Sequence, residues 1–343
     1  MSTIRDVARV ADVSTATVSR VINSPETVRV ETRDRVQRAM DVCRYKYNAL
    51  ARGFVTKQSH ILGLIIPTIT NPIFAESTRG VQDYANERGY QVILANSDYE
   101  SEKENRLVEV LREKQVEGLM ITTTSLRGRI LKSLLEDGFP FVLLYSTVRR
   151  GPMSAVGVDN FSGGYTAAEH LLRLGHRRIA MLAGGFSFSD KSYHRWQGYR
   201  RCLKDHRIPY DPALTLQTQY TLGSGKEAIK TLLSVSDPPT AVFCSNDFIA
   251  LGAMQGAREL GVRIPHELSV VGFDDMEISS FISPSLTTIR QPAYEMGRLG
   301  TELLFRHISK TVERPVHKML ATTLVVRGST ARAKIGKTAR EKS

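Results

Sequence analysis

Apolar residues at the N-terminus recur at helical spacing over short distances. Ile4, Val7, Ala8 and Ala11 fall at i, i+3, i+4 and i+7, which predicts one short amphipathic helix. Asp12 and Val13 make a turn, and Ser14 stands where an N-cap belongs, its hydroxyl able to satisfy a free amide of the next helix. Thr15 to Asn23 reads as that helix, with Val18, Val21 and Ile22 as its apolar face. Residues 31–44 supply a third helix, in which Val36, Met40 and Cys43 are spaced to close a small core. Two short helices joined by so tight a turn form a helix-turn-helix, whose second helix enters the major groove of DNA N-terminus first.

From Ser59 onward the pattern alternates between buried strands and amphipathic helices. Ile61–Ile66, Gln91–Asn96, Gly118–Thr122, Phe141–Tyr145, Ile179–Ala183, Ala241–Cys244 and Ser269–Phe273 are short apolar runs of parallel-strand type. Between them, Ala75–Arg88, Glu102–Lys114, Gly163–Leu174, Trp196–His206, Gly225–Leu233 and Asp247–Leu260 read as helices. Such a βαβ rhythm predicts doubly wound α/β structure.

The geometry of the second helix assigns roles to its polar side chains. With Val18, Val21 and Ile22 inward, Thr15, Ala16, Ser19, Arg20 and Asn23 face out, and Thr17 joins them as an expected DNA contact. Arg20 suits bidentate donation to O6 and N7 of a guanine. Thr15 can reach a base edge or a phosphate, and the Ala16 methyl can pack on a thymine methyl. Ser19 and Asn23 are placed for phosphates, which set position rather than sequence.

Several separated motifs stand in a fixed order: DVARVADVSTATVSRVIN, NALAR, NPIFAE, RGVQDYANERGY, SNDFIALGA, VVGFDD and SLTTIRQP. In this order they resemble the LacI/GalR family of bacterial transcription regulators, over nearly the whole chain to about Thr330. The resemblance implies an N-terminal all-α helix-turn-helix head plus an α/β body of two doubly wound lobes, of the type shared with periplasmic sugar-binding proteins. It divides the chain into a DNA-binding domain at 1–46, a hinge helix and linker at 47–58, a two-lobed effector-binding and dimerisation domain at 59–329 and a basic tail at 330–343. The second lobe then begins near Asp159–Gly163, the chain recrosses near Thr288–Pro292, and helix Tyr294–Ile308 packs back on the first lobe.

The hinge departs from the family pattern. In relatives, the stretch matching Asn48–Phe54 folds on the operator, and the paired helices wedge a leucine into the minor groove. Here Phe54 takes the leucine position, Gly53 precedes it and Tyr47 replaces the usual proline. Phenylalanine is itself an intercalating wedge, so Asn48 and Phe54 join the expected DNA contacts. Gly53 lowers helix propensity by about 1 kcal/mol relative to alanine.

In the body, doubly wound sheets present ligand sites at the carboxyl ends of their strands. Phe74, Arg195 (placed just before the helix of RWQGYR), Tyr220, Asn246 and Asp274 fall at such ends. In the family, matching positions contact effector: the arginine and the Asn/Asp pair take hydroxyls or carboxylates, and the aromatics form walls. Asp247 is expected to cap its helix. Many relatives carry an acidic residue after the strand at Val142–Leu144, whereas this chain has Tyr145 and Ser146. Tyr145 therefore joins the expected effector contacts, and losing the carboxylate while keeping Arg195 tilts the pocket toward an anionic effector such as a sugar acid.

Charge agrees with a DNA-reading head. The net charge is +12; residues 1–57 hold 11 Lys and Arg against 6 Asp and Glu, the tail holds 5 against 1, and +3 remains for the long middle. Cys43, Cys202 and Cys244 lack metal-ligand spacing and read as reduced, buried thiols. Gly184-Gly185 and Gly223-Ser224-Gly225 lack the lysine of a phosphate loop and read as turns. There is no Gly-x-Ser-x-Gly elbow, no paired histidine motif and no membrane-length apolar run, so an enzyme and a membrane protein are both disfavoured. The expectation is a cytoplasmic, nucleoid-associated repressor without cofactor. Its partners are double-stranded operator DNA, a small-molecule effector (a sugar, sugar acid or related metabolite) and a second copy of itself as a homodimer. A sugar-binding transport or sensor protein on the same body is the alternative.

Overall fold

A computed structural model describes residues 2–23, 25–45, 59–126, 128–187 and 189–333. Its contacts divide the chain into two units, on either side of Ser59. Among its described residues the first holds three helices, α1 (Ile4–Ala11), α2 (Thr15–Asn23) and α3 (Val30–Val42), with a short 3-10 turn at Pro25–Thr27. Its core is Val7, Ala8, Ala11, Val18, Val21, Val36 and Ala39, with Ile22, Met40 and Cys43 packed against it. So small a core leaves much of the definition to caps. The Thr3 hydroxyl accepts the Asp6 amide while the Asp6 carboxylate accepts the Thr3 amide at 2.9 Å, a reciprocal capping box. Asp12 adopts a left-handed conformation (φ 51°) that turns the chain between α1 and α2.

The second unit has two six-stranded sheets. Lobe 1 contains β1 (Ile61–Ile66), α4 (Pro72–Asn86), β2 (Gln91–Asn96), α5 (Ser101–Glu113), β3 (Gly118–Ile121), α6 (Arg129–Glu136), β4 (Phe141–Leu144) and β5 (Ala155–Val158). Lobe 2 contains α7 (Asn160–Arg173), β6 (Ile179–Gly184), α8 (Asp190–Asp205), β7 (Thr215–Thr218), α9 (Leu222–Leu233), β8 (Ala241–Cys244), α10 (Asp247–Glu259), β9 (Ser269–Asp274), α11 (Ile278–Phe281) and β10 (Thr287–Arg290). The chain returns to lobe 1 for α12 (Ala293–Ile308) and β11 (His317–Leu320), then ends in lobe 2 with β12 (Thr323–Val325). Strand orders are β11-β5-β4-β3-β1-β2 and β12-β10-β9-β8-β6-β7, all parallel except for the antiparallel β10–β12 pair. Each order reverses once, between β1 and β3 and between β6 and β8. Those reversals are the switch points where the ends of such sheets open into a crevice.

Both expected crossings occur, after β5 and after β10, and α12 packs on α4 and β4 of lobe 1. A third crossing, between β11 and β12, was not foreseen because two edge strands that short carry no clear alternation. Each sheet is covered on both faces by apolar layers, which accounts for the near-continuous hydrophobic strands. Residues 330–333, read above as the start of the tail, are tied to lobe 2: Ala333 N–H donates to Leu174 O at 2.9 Å, and Thr330 bonds His170. Asn48, Phe54, the rest of the hinge and residues 334–343 lie outside the described residues.

Asp247 corrects an expectation. The N-cap of α10 is Asn246, whose Oδ1 accepts the Ile249 amide at 2.9 Å. Asp247 is fully buried instead, accepting from Met276 N–H (2.9 Å), the Ser279 hydroxyl (2.7 Å) and the Thr288 hydroxyl (2.6 Å). It pins the β9–α11 turn and β10 together at the edge of lobe 2. Asp247→Ala would strand these three donors, so a loss of about 2–3 kcal/mol of body stability is expected in chemical unfolding. A change under about 0.5 kcal/mol would show that the site relaxes freely.

Candidate functional site

In the helix-turn-helix, Ser14 caps α2 as expected: its hydroxyl accepts the Thr17 amide at 3.0 Å. Thr15, Ala16 and Arg20 are exposed on the outer face of α2, and Ser19 is half-buried. Arg20 makes no ion pair or hydrogen bond among the described residues, which leaves its guanidinium fork available. Thr17 differs from the expectation in part: it is half-buried, and its hydroxyl bonds Ser14 at 2.9 Å. Asn23 ends α2, and its side chain lies outside the described residues.

In the body, a narrow pocket lies between the lobes, and all six expected effector residues line it: Phe74, Tyr145, Arg195, Tyr220, Asn246 and Asp274. Several sit earlier in their helices than the apolar periodicity indicated. Phe74 lies in the first turn of α4, which Asn71 caps through the Ile73 amide. Arg195 lies inside α8 rather than before it, because Ser189 caps a polar first turn that carries no apolar rhythm.

Arg195 is buried and held from several sides. Its Nε donates to Asn160 Oδ1 at 2.7 Å, and Nη1 donates to the Ser245 carbonyl at 2.5 Å. The guanidinium lies 3.5 Å from the centroid of the Phe273 ring and 3.8 Å from an oxygen of Asp274. Asp274 ends β9 with φ 121° and accepts from Gln291 Nε2 at 2.6 Å. Burial pushes its carboxyl up to about 8, with Arg195 opposing the shift. Asp275, the next residue, faces away and pairs with Arg290 and Arg327, each at 2.6 Å.

The aromatic walls come from both lobes. Phe74 meets Tyr145 edge to face at 5.2 Å, and the Tyr145 hydroxyl donates to Ile73 O at 2.8 Å. Tyr220 of lobe 2 stacks on Tyr99 of lobe 1 with ring centroids 5.4 Å apart. The Tyr220 hydroxyl also bonds Ser189 (2.7 Å) and Ser192 (2.6 Å). Gly184 is not a turn residue: it ends β6, and a Cβ there would strike the Tyr220 ring. Gly223 and Gly225 lie inside α9. Two further bonds cross the cleft, Lys191 Nζ to Thr123 O and Thr147 Oγ1 to Asp190, each at 3.0 Å. Tyr99, Lys191, Gln291 and the Thr122–Thr124 stretch line the pocket and escaped sequence reasoning. For Lys191 the N-cap Ser189 was a usable signal; for Tyr99 there was none.

The model of "Bacterial regulatory proteins, lacI family" matches residues 3–48, and that of a "Periplasmic binding protein-like domain" matches residues 168–330. Catabolite control protein A of Priestia megaterium is 34% identical over 308 residues, covering 90% of this chain and 93% of its own. The chain belongs to the LacI family. Among solved structures, the lac repressor dimer bound to operator and the anti-inducer ONPF superposes with a TM-score of 0.87 at 29% identity, covering 96% of this chain and 99% of that one. The complex of transcriptional regulator CelR with cellobiose superposes at 0.73 and 32% identity, covering 96% and 100%. Like its LacI-family relatives, the protein is a DNA-binding transcriptional repressor and not an enzyme. Among the described residues no helix is long and apolar enough to cross a membrane, and no group of three His, Cys, Asp or Glu is placed to hold a metal.

Asp274 gives a signed pH dependence. Its folded value of about 8 lies above the ordinary 3.8, so the folded chain keeps a proton that the unfolded chain loses. The stability so conferred is present in full below the ordinary range and is lost as pH rises toward about 8. Asp274→Asn cannot titrate, so its melting temperature relative to the parent is expected to climb between about pH 5 and pH 8. A constant difference across that range in thermal unfolding would mean that Asp274 stays ionised.

Proposed function

We propose that this LacI-family chain acts in the bacterial cytoplasm as a dimeric repressor on a palindromic operator, under the control of a small anionic or polyhydroxy metabolite held between the lobes. The observation that carries the reading is the shared wall of the pocket: Phe74, Tyr99 and Tyr145 come from lobe 1, and Arg195, Tyr220, Asn246 and Asp274 from lobe 2. A ligand touching both walls has different affinities for open and closed lobes, and that difference, typically ~1–3 kcal/mol, is all that can reach the DNA-binding end.

Arg20 reads a guanine, Thr15 and Ala16 read neighbouring base edges, and Thr17, Ser19 and Asn23 fix α2 on the phosphates. Asn48 and Phe54 act at the operator centre, with Phe54 as the minor-groove wedge. A single helix-turn-helix touches too few base pairs for specificity, so two-fold pairing is required. Ile278 and Phe281 on α11 are exposed apolar residues, Phe281 to 75%, and suit such a pairing surface. Selection of sites from random duplex DNA by the full chain is expected to yield one palindrome with a flexible C·G step at its centre. Arg20→Ala is expected to relax selection at one position per half-site, a loss of about 1–3 kcal/mol for the preferred base. Unrelated sequences with steep salt dependence would leave only phosphate-driven binding.

Of the effector classes, the charge balance favours an acid. Asp190 lies 2.9 Å from Lys191 and offsets it, while burial disfavours the charged form of Asp274 and so weakens the counter-charge it gives Arg195. In calorimetric titration, gluconate-type acids are expected to bind more tightly than neutral sugars. Tight binding of a neutral sugar alone would remove the anionic assignment while leaving the repressor reading intact.

A further inference from the structure

Helix α8 has a second face. Ser192 and Arg195 turn inward to the effector pocket, whereas Tyr193, Trp196, Arg200 and Lys204 line a groove on the outside of lobe 2. Arg207 and Tyr210 from the following loop complete it, and it lies open to solvent. The floor is aromatic. Trp196 lies 5.5 Å from Tyr193 and 6.3 Å from Tyr210 between ring centroids, and its indole N–H donates to the Tyr210 hydroxyl at 3.2 Å. The Arg200 guanidinium sits 4.6 Å from the centroids of both the Trp196 and Tyr210 rings.

The charge in this groove is uncompensated. Apart from the inward-facing Arg195, residues 193–210 hold four Lys and Arg against one Asp, in a middle region whose total is only +3. The single acid, Asp205, is bonded to Arg201 at 2.9 Å. Among the described residues Arg200, Lys204 and Arg207 make no ion pair. An ordinary solvated helix face would interleave acids with these cations and would not gather rings beneath them.

We propose that this groove docks an acidic peptide segment of a partner protein, with its carboxylates on Arg200, Lys204 and Arg207 and an apolar side chain against Tyr193. The Arg200 guanidinium, held 4.6 Å from both ring centroids and in no ion pair among the described residues, keeps its planar N–H fork for a carboxylate. The same placement covers the Trp196 and Tyr210 faces on which nucleic-acid bases would stack, which disfavours a single strand as occupant. The site is separate from the effector pocket, and the inference does not rest on the effector's identity. Because the two sites share α8, a docked segment acts on the helix that carries Arg195.

Trp196 is the only tryptophan in the chain and reports on its own groove. The full-length protein is titrated with a short glutamate-rich peptide containing one phenylalanine, at about 0.15 M ionic strength to screen diffuse attraction. A saturable change in Trp196 emission is expected. Arg200→Glu with Arg207→Glu should weaken it at least about tenfold, and Lys132→Glu on exposed α6 of lobe 1 should leave it unchanged. Lys204→Glu alone gives the same reading should the double variant misfold. The proposal is overturned by an unsaturable response, by equal weakening in Lys132→Glu, or by displacement of the peptide by a single-stranded oligonucleotide at lower concentration.

Discussion

A guanidinium taken out of water sets the terms for lobe 2. Burying Arg195 is unfavourable unless its N–H groups find acceptors and its charge finds polarisable or anionic neighbours. Two acceptors come from different parts of the chain, Asn160 at the start of α7 and the Ser245 carbonyl after β8; the Asp274 carboxyl at the end of β9 lies 3.8 Å away, and the Phe273 ring covers the guanidinium face. One side chain thereby gathers the end of β9, the segment after β8 and the first turn of α7 around a single point. That point lies in the wall of the pocket.

Glycines let α7 and α8 lie close enough for Arg195 to reach Asn160. A Cβ on Gly164 would strike the Arg195 carbonyl, and one on Gly198 would strike the Phe161 carbonyl, so the two backbones touch where side chains would normally intervene. Close approach fixes the position of α8, and with it the direction of Arg195. Tyr220 is seated in a related way, in space that the absent side chain of Gly184 leaves beside β6. Lobe 1 contributes no comparable charge to the wall. Its part is aromatic, with Phe74 and Tyr145 fixed edge to face and Tyr99 held in a left-handed backbone (φ 61°) as it leaves β2.

Much of this was legible in the chain. Seven strands and six helices of the body follow directly from apolar runs and periodicity, and the six effector candidates fall where doubly wound sheets place ligands. Helices expected at Ala75, Gly163, Trp196 and Gly225 begin at Pro72, Asn160, Asp190 and Leu222; the first turns of the last three carry no apolar core rhythm, whereas Ile73 and Phe74 of α4 are core positions. Those turns announce themselves only through their caps, Asn71, Asp159, Ser189 and Thr221. Tyr99 and Lys191 were illegible for a different reason. Each matters through a partner in the opposite lobe, Tyr220 or the Thr123 carbonyl, and no local spacing encodes that meeting. Asp247 looked like a cap because it opens a helix, but Asn246 supplies the cap and burial gives Asp247 a bracing role.

The third passage of the chain between lobes changes how they can move. The three connections leave neighbouring strands, β5 and β11 in one sheet and β10 and β12 in the other, so they lie side by side along one edge. A single tether would act as a ball joint, free to swivel about any axis. Three abreast behave as a strap: bending toward the cleft deforms each a little, whereas twisting must stretch the outer two against each other. The lobes of such a molecule retain essentially one soft degree of freedom, and a small metabolite needs to bias only that one.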